Sequence, residues 1–302
     1  MLPRALFADL FDDAAVFPPG NSPLDAAVAG HRRLRRSRLR RSPYADLVGP
    51  LLLPPASVAA AADLAGLADL TPAPPGGAVE PEDADPGPLD VAIAARPDAD
   101  LVELGAAVRT AARDDRLELR GVELGWFENW RELQIDSPAI VLELPRGTEQ
   151  SLALTDLATA IAEGEPGNSR IIAKFRTGRT PLWDWPPERE LARVIQSAIA
   201  MDVPLKLTGG LHHAVRSTLS DGEHHGVLNI LTVVADARAG RPLAELTATL
   251  ARREPGPLVD RLATLTAAQV TRLRAAFSAY GCCDVLEPIH ELTELGVLEG
   301  VS

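Results

Sequence analysis

Short apolar runs recur along the chain, and stretches with a helical pattern separate most of them. Seven of these runs have the length and composition of β-strands, namely residues 46–54, 89–95, 119–126, 139–145, 170–178, 203–210 and 282–288. Another run, residues 226–234, fits a strand or a helix, because periodicity alone does not separate the two in a short apolar segment. Strands that alternate with helices predict βαβ units and a parallel sheet.

Seven or eight strand–helix units favour an α/β fold, a single (β/α)8 barrel of the TIM type over residues 1–302. A doubly wound open sheet is the alternative, but no G-x-G-x-x-G follows the first predicted strand. Residues 71–88 are rich in proline, glycine and acidic residues. They are predicted to form a loop rather than a linker, because the same alternation resumes after them. One domain is therefore expected.

The N-terminal residues 1–42 are predicted to be a loop and an Arg-rich helix that pack on the barrel before its first strand. Ser22 and Pro23 suit the N-cap and the first turn of this helix. A helix that precedes the first strand runs antiparallel to it, so the helix starts at the carboxyl ends of the strands. Asp12 and Phe17 are therefore predicted to border the mouth of the barrel.

The chain contains two lysines, Lys174 and Lys206, among its 30 basic residues. Each lies inside a predicted strand, although lysine is rarely fully buried. Arginine cannot replace lysine where a neutral amine is needed, because the guanidinium group stays charged. Lysines on adjacent strands, about 4.8 Å apart, lower each other's pKa, which is a route to a lysine that forms a Schiff base. The sequence therefore predicts a Schiff-base enzyme that acts on a small carbonyl compound.

Other polar residues fall in or after the second halves of the predicted strands. Active sites of (β/α)8 barrels lie at the carboxyl ends of the strands, and alternate residues of a strand share a face. Glu123 and Glu143 are therefore predicted to act with the two lysines as catalytic residues that move protons. The predicted substrate-binding residues are Arg176, Thr208, Gly209, Gly210, His212, His213, His225, Asn229, Asp12, Phe17 and Glu287.

The segments AKFRTG and KLTGGLHH, within residues 173–213, resemble the paired-lysine signature of deoxyribose-phosphate aldolase. The matching residues are Lys174, Thr177, Gly178, Lys206, Gly209 and Gly210. The resemblance implies a class I aldolase whose Schiff base forms on Lys174. The chain departs from that family's pattern at Phe175 and Arg176 and at the two histidines that follow the second motif. The resemblance therefore does not imply a phosphorylated substrate.

Over its whole length the chain resembles a widespread bacterial family in the segments DDAAVFPP, KFRTGR, KLTGGLHH, HGVLN and CCDVLEP. This second resemblance implies the choice of residues but no reaction. The order of the motifs makes Lys174 the Schiff-base residue. Counting the predicted strands instead puts Lys206 on the sixth strand, where many class I aldolases carry theirs. Both assignments stay open at this point.

Two other functions compete with the aldolase interpretation. His212, His213 and His225 form a histidine-rich region that suits a metal-dependent or acid–base barrel enzyme. No H-E-x-x-H or similar spacing accompanies them, so no metal ligand is assigned and no cofactor is predicted. A non-catalytic ligand-binding barrel is the other alternative, in which each lysine merely pairs with a carboxylate.

Composition restricts the partners. The net charge of −12 argues against binding to nucleic acid or to anionic membranes. The chain has no apolar stretch of the roughly 18 residues that span a bilayer, and its first residues include acids where a signal peptide needs an apolar run. The two cysteines are adjacent and cannot form a disulfide framework, which favours the cytoplasm. A homodimer is left open.

Overall fold

The computed structural model describes residues 1–36, 44–67, 87–97, 99–164, 167, 169–220 and 222–298. The strands of its main sheet are β1 (Phe11–Asp13), β2 (Val48–Leu53), β3 (Leu89–Ala94), β4 (Leu117–Gly125), β5 (Ala139–Glu143), β6 (Arg170–Arg176), β7 (Leu205–Thr208) and β10 (Phe277–Cys282). A small antiparallel hairpin, β8 (Ser217–Leu219) and β9 (Gly222–His224), follows β7. Within the described residues the eight parallel strands close into a barrel, in the order β1-β10-β7-β6-β5-β4-β3-β2. The predicted (β/α)8 barrel is confirmed.

Helices alternate with most of the barrel strands. In the described parts of the chain they are α1 (Leu24–Arg36), α2 (Val58–Leu67), α3 (Leu101–Arg113), α4 (Gln150–Glu163), α5 (Glu188–Ala200), α6 (Val227–Arg238), α7 (Leu243–Leu250), α8 (Pro255–Ala263), α9 (Ala267–Ala276) and α10 (Leu286–Glu294). A single 3₁₀ turn at Trp130–Glu132 replaces the helix between β4 and β5. Four helices, α6 to α9, stand between the hairpin and β10.

Helix α5 shows how the outer layer is held. Its apolar residues Leu191, Val194, Ile195 and Ala198 recur at helical spacing and are all buried. Full burial of one such leucine or isoleucine contributes about 1.5–3 kcal/mol. Acidic residues in the first turn, such as Glu188, suit the positive end of the helix dipole. The amphipathic pattern thus fixes which face of the helix packs against its neighbours.

The first barrel strand was not predicted. Strand β1 consists of Phe11, Asp12 and Asp13, and it pairs with both β2 and β10. The prediction of an N-terminal helix before the first strand is therefore wrong, because α1 follows β1 and connects it to β2. A strand of three residues that includes two buried acids carries no apolar pattern from which it could be recognised. The last residues of the predicted Arg-rich helix and most of the 71–88 loop lie outside the described residues.

Two segments near the end of the barrel also differ from expectation. The ambiguous run 226–234 belongs to helix α6, which is apolar on nearly every side because its residues from Val227 to Ala235 are all buried. The predicted strand 282–288 is shifted, since β10 ends at Cys282 and α10 begins at Leu286. The true strand, FSAYGC, mixes small and aromatic residues and resembles the end of the preceding helix.

Candidate active site

Register within the barrel brings the charged residues of several strands to one level. Lys174 on β6 is paired in register with Glu143 on β5 and with Lys206 on β7. Thr208 on β7 pairs with Gly281 on β10, and Gly281 pairs with Asp12 on β1. Register partners in a parallel sheet share a face, so these positions meet inside the barrel near the carboxyl ends of the strands.

A continuous chain of ion pairs fills this level. Nζ of Lys174 lies 3.0 Å from Oε2 of Glu123 and 2.9 Å from Oε2 of Glu143. Nζ of Lys206 contacts the carboxylates of both Asp12 and Glu123. Glu123 therefore binds both lysines, one through each carboxylate oxygen. The structure brings the two lysines together on adjacent strands, with their amines on one shared acid.

We name the linked side chains of Asp12, Glu123, Glu143, Lys174 and Lys206 the lysine network. Arg176 extends this network toward solvent. Its Nε and Nη2 donate to the two oxygens of Glu143 at 2.9 and 3.1 Å. The Arg176 side chain is 37% exposed, whereas those of Lys174 and Lys206 are 5% and 4% exposed. The guanidinium group therefore stands at the outer end of the network, where a ligand arriving from solvent meets it first.

Burial and ion pairing act in opposite directions on the acids. Burial alone raises the pKa of Glu123, but Lys206 and Lys174 outweigh it and lower that pKa to about 2. For Glu143, Lys174 and Arg176 likewise outweigh burial and lower the pKa. Asp12 differs, because burial prevails over its contact with Lys206 and raises its pKa to about 6. Asp12 is thus the carboxylate of the network that most readily accepts a proton near neutral pH.

Lys206 does not follow the prediction that the lysines lower each other's pKa. Burial lowers the pKa of Lys206, but the attraction and hydrogen bonds of Asp12 and Glu123 outweigh burial and raise it above its ordinary value. The prediction is wrong because Asp12 lies on a barrel strand, β1, and gives Lys206 a second carboxylate partner. Lys206 is therefore held as an ammonium ion.

Gly49 on β2 makes room for Asp12. A Cβ atom at Gly49 would lie 2.0 Å from Oδ1 of Asp12, which is far inside van der Waals contact. We expect Gly49→Ala to push the Asp12 carboxylate off Lys206. Turnover should fall, as it should in Asp12→Asn, while the overall fold is kept. The measurement is the activity of both variants, with thermal unfolding to check the fold.

Gly30 in α1 supplies the matched control for this substitution. A Cβ there meets no atom closer than 3.7 Å, so Gly30→Ala should leave activity unchanged and stabilise the helix by about 0.5–1 kcal/mol. Equal effects of the two Gly→Ala changes would show that Gly49 has no special relation to Asp12.

An apolar wall faces the charges across the barrel. Leu52 of β2, Ala92 and Ala94 of β3, and Ala14 form a small cluster of their own, on which Phe17 packs. Ala94 is the register partner of Glu123, so this wall faces the barrel interior as the network does. Phe17 therefore forms part of this wall, and its contact with a substrate stays a prediction. The alanines were missed by sequence reasoning, because alanine is too common in this chain to stand out.

The predicted histidines do not form one cluster with the lysines. His212 contacts Glu287, with 2.6 Å between Nδ1 and Oε2. His213 contacts Glu291, with 2.7 Å between Nδ1 and Oε1. In the described residues no group of three or more His, Cys, Asp or Glu side chains is arranged to hold a metal ion. The alternative of a metal-dependent enzyme therefore lacks its ligand set there.

His225 and Asn229, both predicted to bind substrate, are engaged within the protein. His225 is 1% exposed and contacts the carbonyl oxygen of Pro186 through Nε2 and Arg216 through Nδ1. Burial lowers the pKa of His225 to about 4 and keeps the ring neutral. Asn229 is 0% exposed, and its amide donates to the backbone carbonyls of Thr249, near the end of α7, and of Arg252, just after α7. Both side chains thus hold loops together and are closed to a ligand in this structure.

The predicted glycines shape the turn after β7. Gly209 and Gly210 have φ angles of +78° and +70°, a region that favours glycine. The hydroxyl of Thr177 donates to the Gly209 carbonyl at 2.5 Å, which ties the ends of β6 and β7 together. A Cβ at Gly210 would lie 2.0 Å from the Trp185 ring. These contacts explain both glycines without a ligand. The Thr208 side chain lies outside the lysine network.

Comparisons with known proteins leave the family open. No protein-family model matches the chain. No curated protein matches it either. Among solved structures, the HMG-CoA lyase from Brucella melitensis is similar over 68% of this chain and 78% of that chain, with a TM-score of 0.36 and 12% sequence identity. A likeness this low carries no argument about function. No helix in the described residues is long and apolar enough to cross a membrane.

Proposed function

We propose that this protein is a lyase of the class I aldolase kind, in which Lys174 forms a Schiff base with a small carbonyl compound. The shared carboxylate of Glu123, bound to both Lys174 and Lys206, carries the proposal. Buried ion pairs stabilise a fold poorly, because apolar residues of similar size often do as well or better. Two buried lysines on one acid are better explained by chemistry that needs an amine.

Lys174 is the better candidate for the covalent step. Counted from β1, its strand β6 is the sixth of the barrel. The strand count and the motif order therefore both favour Lys174 as the Schiff-base residue. Each lysine contacts two carboxylates, and those of Lys206 raise its pKa and hold its proton. Lys174 also adjoins Glu143 and Arg176, which lie on the solvent side of the network. An entering carbonyl compound would therefore reach the Lys174 amine first.

The balance of charges in the network suggests how the Lys174 amine could lose its proton to Asp12. Three acids, Asp12, Glu123 and Glu143, face three cations, Lys174, Lys206 and Arg176. Loss of a proton from Lys174 leaves this set one positive charge short. Uptake of that proton by Asp12, the acid with the raised pKa, restores the balance. Glu123 touches both lysines and provides the path between the two ends.

The proposed reaction uses these groups in sequence. The neutral nitrogen of Lys174 adds to the substrate carbonyl carbon, and the carbonyl oxygen leaves as water after it is protonated. A carboxylate of the network removes the proton of the hydroxyl group on the other carbon of the C–C bond, and that carbon leaves as a carbonyl compound. The iminium ion accepts the electron pair of the broken bond and becomes an enamine, whose carbon the same acid then protonates. Water then hydrolyses the Schiff base and returns the free amine.

The walls of the mouth restrict the substrate. The apolar wall of Ala14, Leu52, Ala92, Ala94 and Phe17 suits a short hydrocarbon part. Arg176 suits a carboxylate or another anionic group, because a guanidinium group binds such anions through two parallel hydrogen bonds. A small oxo acid with a short alkyl chain combines both features.

A second candidate is an acid–base barrel enzyme that forms no covalent intermediate. The pKa of about 6 at Asp12 favours it, since a general base works best when its pKa lies near the operating pH. Asp12 would then remove a proton from the substrate while Lys206 and Arg176 hold its negative charge.

Reductive trapping separates the two candidates. The protein is incubated with short aldehydes, ketones and oxo acids, reduced with borohydride, and mapped by mass spectrometry. The chain offers few amines, namely Lys174, Lys206 and the N-terminus, so sites are easily distinguished. We expect one adduct per chain, on Lys174. Adducts confined to the N-terminal amine across the whole panel would favour the acid–base enzyme.

A further inference from the structure

A second group of reactive side chains lies outside the lysine network. Cys283 directly follows β10, His212 follows β7, and Glu287 lies in the first turn of α10. Strands β7 and β10 are neighbours in the barrel, so the segments after them meet at its carboxyl-end face. We name Cys283, His212 and Glu287 the thiol cluster. The thiol cluster takes no part in the lysine network or in the proposed lyase reaction.

The thiol cluster has the order of a nucleophile, a base and an orienting acid. Sγ of Cys283 lies 3.4 Å from Nε2 of His212. Nδ1 of the same ring lies 2.6 Å from Oε2 of Glu287. A carboxylate accepts hydrogen bonds only, so Nδ1 carries the proton and Nε2 faces the thiol with its lone pair. This tautomer is the one that removes a proton from sulfur.

We propose that Cys283 is a nucleophile that accepts an acyl group from an ester or a thioester, with His212 as its general base. Nε2 of His212 takes the thiol proton as sulfur attacks the acyl carbon. The new C–S bond forms, the bond to the leaving alcohol or thiol breaks, and that leaving group takes the proton from His212. Glu287 is a positioning residue that holds the ring. The step needs no oxidant or reductant, and the proposal stands apart from the lyase reaction.

Cys282 is excluded from this role by its surroundings. It is 1% exposed, its thiol contacts the carbonyl oxygen of Asp284 at 3.0 Å, and it approaches only the ring nitrogen that Glu287 occupies. Cys283 is only half-buried. Burial raises the pKa of Cys283, against a hydrogen bond from the Gly20 backbone, and Glu287 and Asp284 add repulsion. Its thiol is therefore neutral at rest and depends on a base.

The probe for this proposal is 4-nitrophenyl acetate, used with the full-length protein. We expect one acetyl group on Cys283, removable by neutral hydroxylamine as a thioester is. Cys282→Ser should keep this label and Cys283→Ser should lose it. His212→Gln should slow the acetylation about 100-fold, in the range that a general base contributes. Circular dichroism of each variant checks that the fold is kept.

Conservative variants distinguish positioning by Glu287 from mere structure. Glu287→Gln should slow the acetylation about 10-fold or more, because the amide can donate to Nδ1 and favour the wrong tautomer, whereas Glu287→Asp should restore most of the rate. His212→Asn serves as a second variant if His212→Gln unfolds. A label on Cys282, or an equal rate without His212, would overturn the proposal. An unchanged acetylation rate in Glu287→Gln would remove Glu287 from it.

Discussion

Lys174→Arg should abolish covalent trapping of carbonyl compounds at residue 174 and reduce lyase turnover by about 1,000-fold or more, because arginine keeps the positive charge but cannot act as a neutral amine. The charge of the network is conserved, since Glu123 and Glu143 still face a cation at this position. The measurement pairs the trapping yield with the turnover of a trapped compound and the melting temperature. A role in ion pairing alone predicts a folded variant with nearly normal function, at a cost of about 1–2 kcal/mol.

Lys206→Arg separates the two lysines. Residue 174 keeps its amine in this variant, so we expect a trapped adduct to form while turnover fails, because the proton path past Asp12 is disturbed. Arg170→Lys is the control, on β6, the strand that carries Lys174. Its side chain lies at the amino end of β6 and contacts the backbone oxygen of Ala275, away from the network. An adduct on Lys206 instead of Lys174 in the wild-type protein would reverse the roles assigned to the two lysines.

The lysine pair could be predicted from the sequence because both residues are unusual in their setting. Each is one of two lysines in an arginine-rich chain, and each lies within an apolar run that reads as a strand. Parallel pairing of consecutive strands then predicts that Lys174 and Lys206 are neighbours. Glu123 and Glu143 follow by the same rule. The central part of the candidate site therefore depends on local patterns and on one rule of topology.

Asp12 could not be placed in the same way. Its strand has three residues, and its burial depends on Lys206, which is 194 residues away in the chain. Only closure of the barrel brings β1 against β10, which separates it by one strand from β7. The missing strand also shifted the strand count by one and made Lys206 the apparent sixth-strand lysine. Sequence patterns report local geometry, whereas closure is a property of the whole chain.

The substrate-binding roles predicted for His225 and Asn229 stay predictions, and they show another limit of sequence patterns. His225 and Asn229 belong to a motif-like segment, HGVLN, and such a segment attracts a functional interpretation. The structure gives both a packing role, because the amide of Asn229 bonds the carbonyls of Thr249 and Arg252. The sequence contains no sign of these backbone partners. A buried polar residue needs partners whether or not it binds a ligand, so polarity within an apolar run does not identify a site.

Glu123→Gln should destabilise the protein by about 3 kcal/mol at neutral pH, the largest loss of stability expected from a single atom exchange in the network. The change leaves two buried ammonium groups with an amide in place of their shared anion, and breaking a buried ion pair costs about 3–5 kcal/mol. The pKa of Glu123 gives a similar size. A fall from 4.5 to about 2, at about 1.36 kcal/mol for each pKa unit, corresponds to roughly 3 kcal/mol.

The lowered pKa of Glu123 predicts how its contribution to stability depends on pH. A carboxyl group whose folded pKa is lowered contributes stability that is fully present above its unfolded value of 4.5, and that contribution is lost as the pH falls toward about 2. The gap in unfolding free energy between wild type and Glu123→Gln should therefore be constant from pH 7 to 5 and narrow below pH 4.5. Asp12 acts in the opposite sense, because burial raises its pKa and so favours the fold at low pH. Glu123 also raises that pKa, so this contribution should be smaller in Glu123→Gln.

Glu118→Gln provides the control on the same strand. Glu118 forms an exposed ion pair with Arg120 at 3.0 Å, and both side chains are nearly half exposed. An exposed pair contributes about 0–1 kcal/mol, so this variant should lie within about 0.5 kcal/mol of wild type at every pH. Urea unfolding of the three proteins from pH 7 to pH 3 measures both effects. A Glu123→Gln loss as small as that of the control would mean that the two lysines do not depend on their common acid.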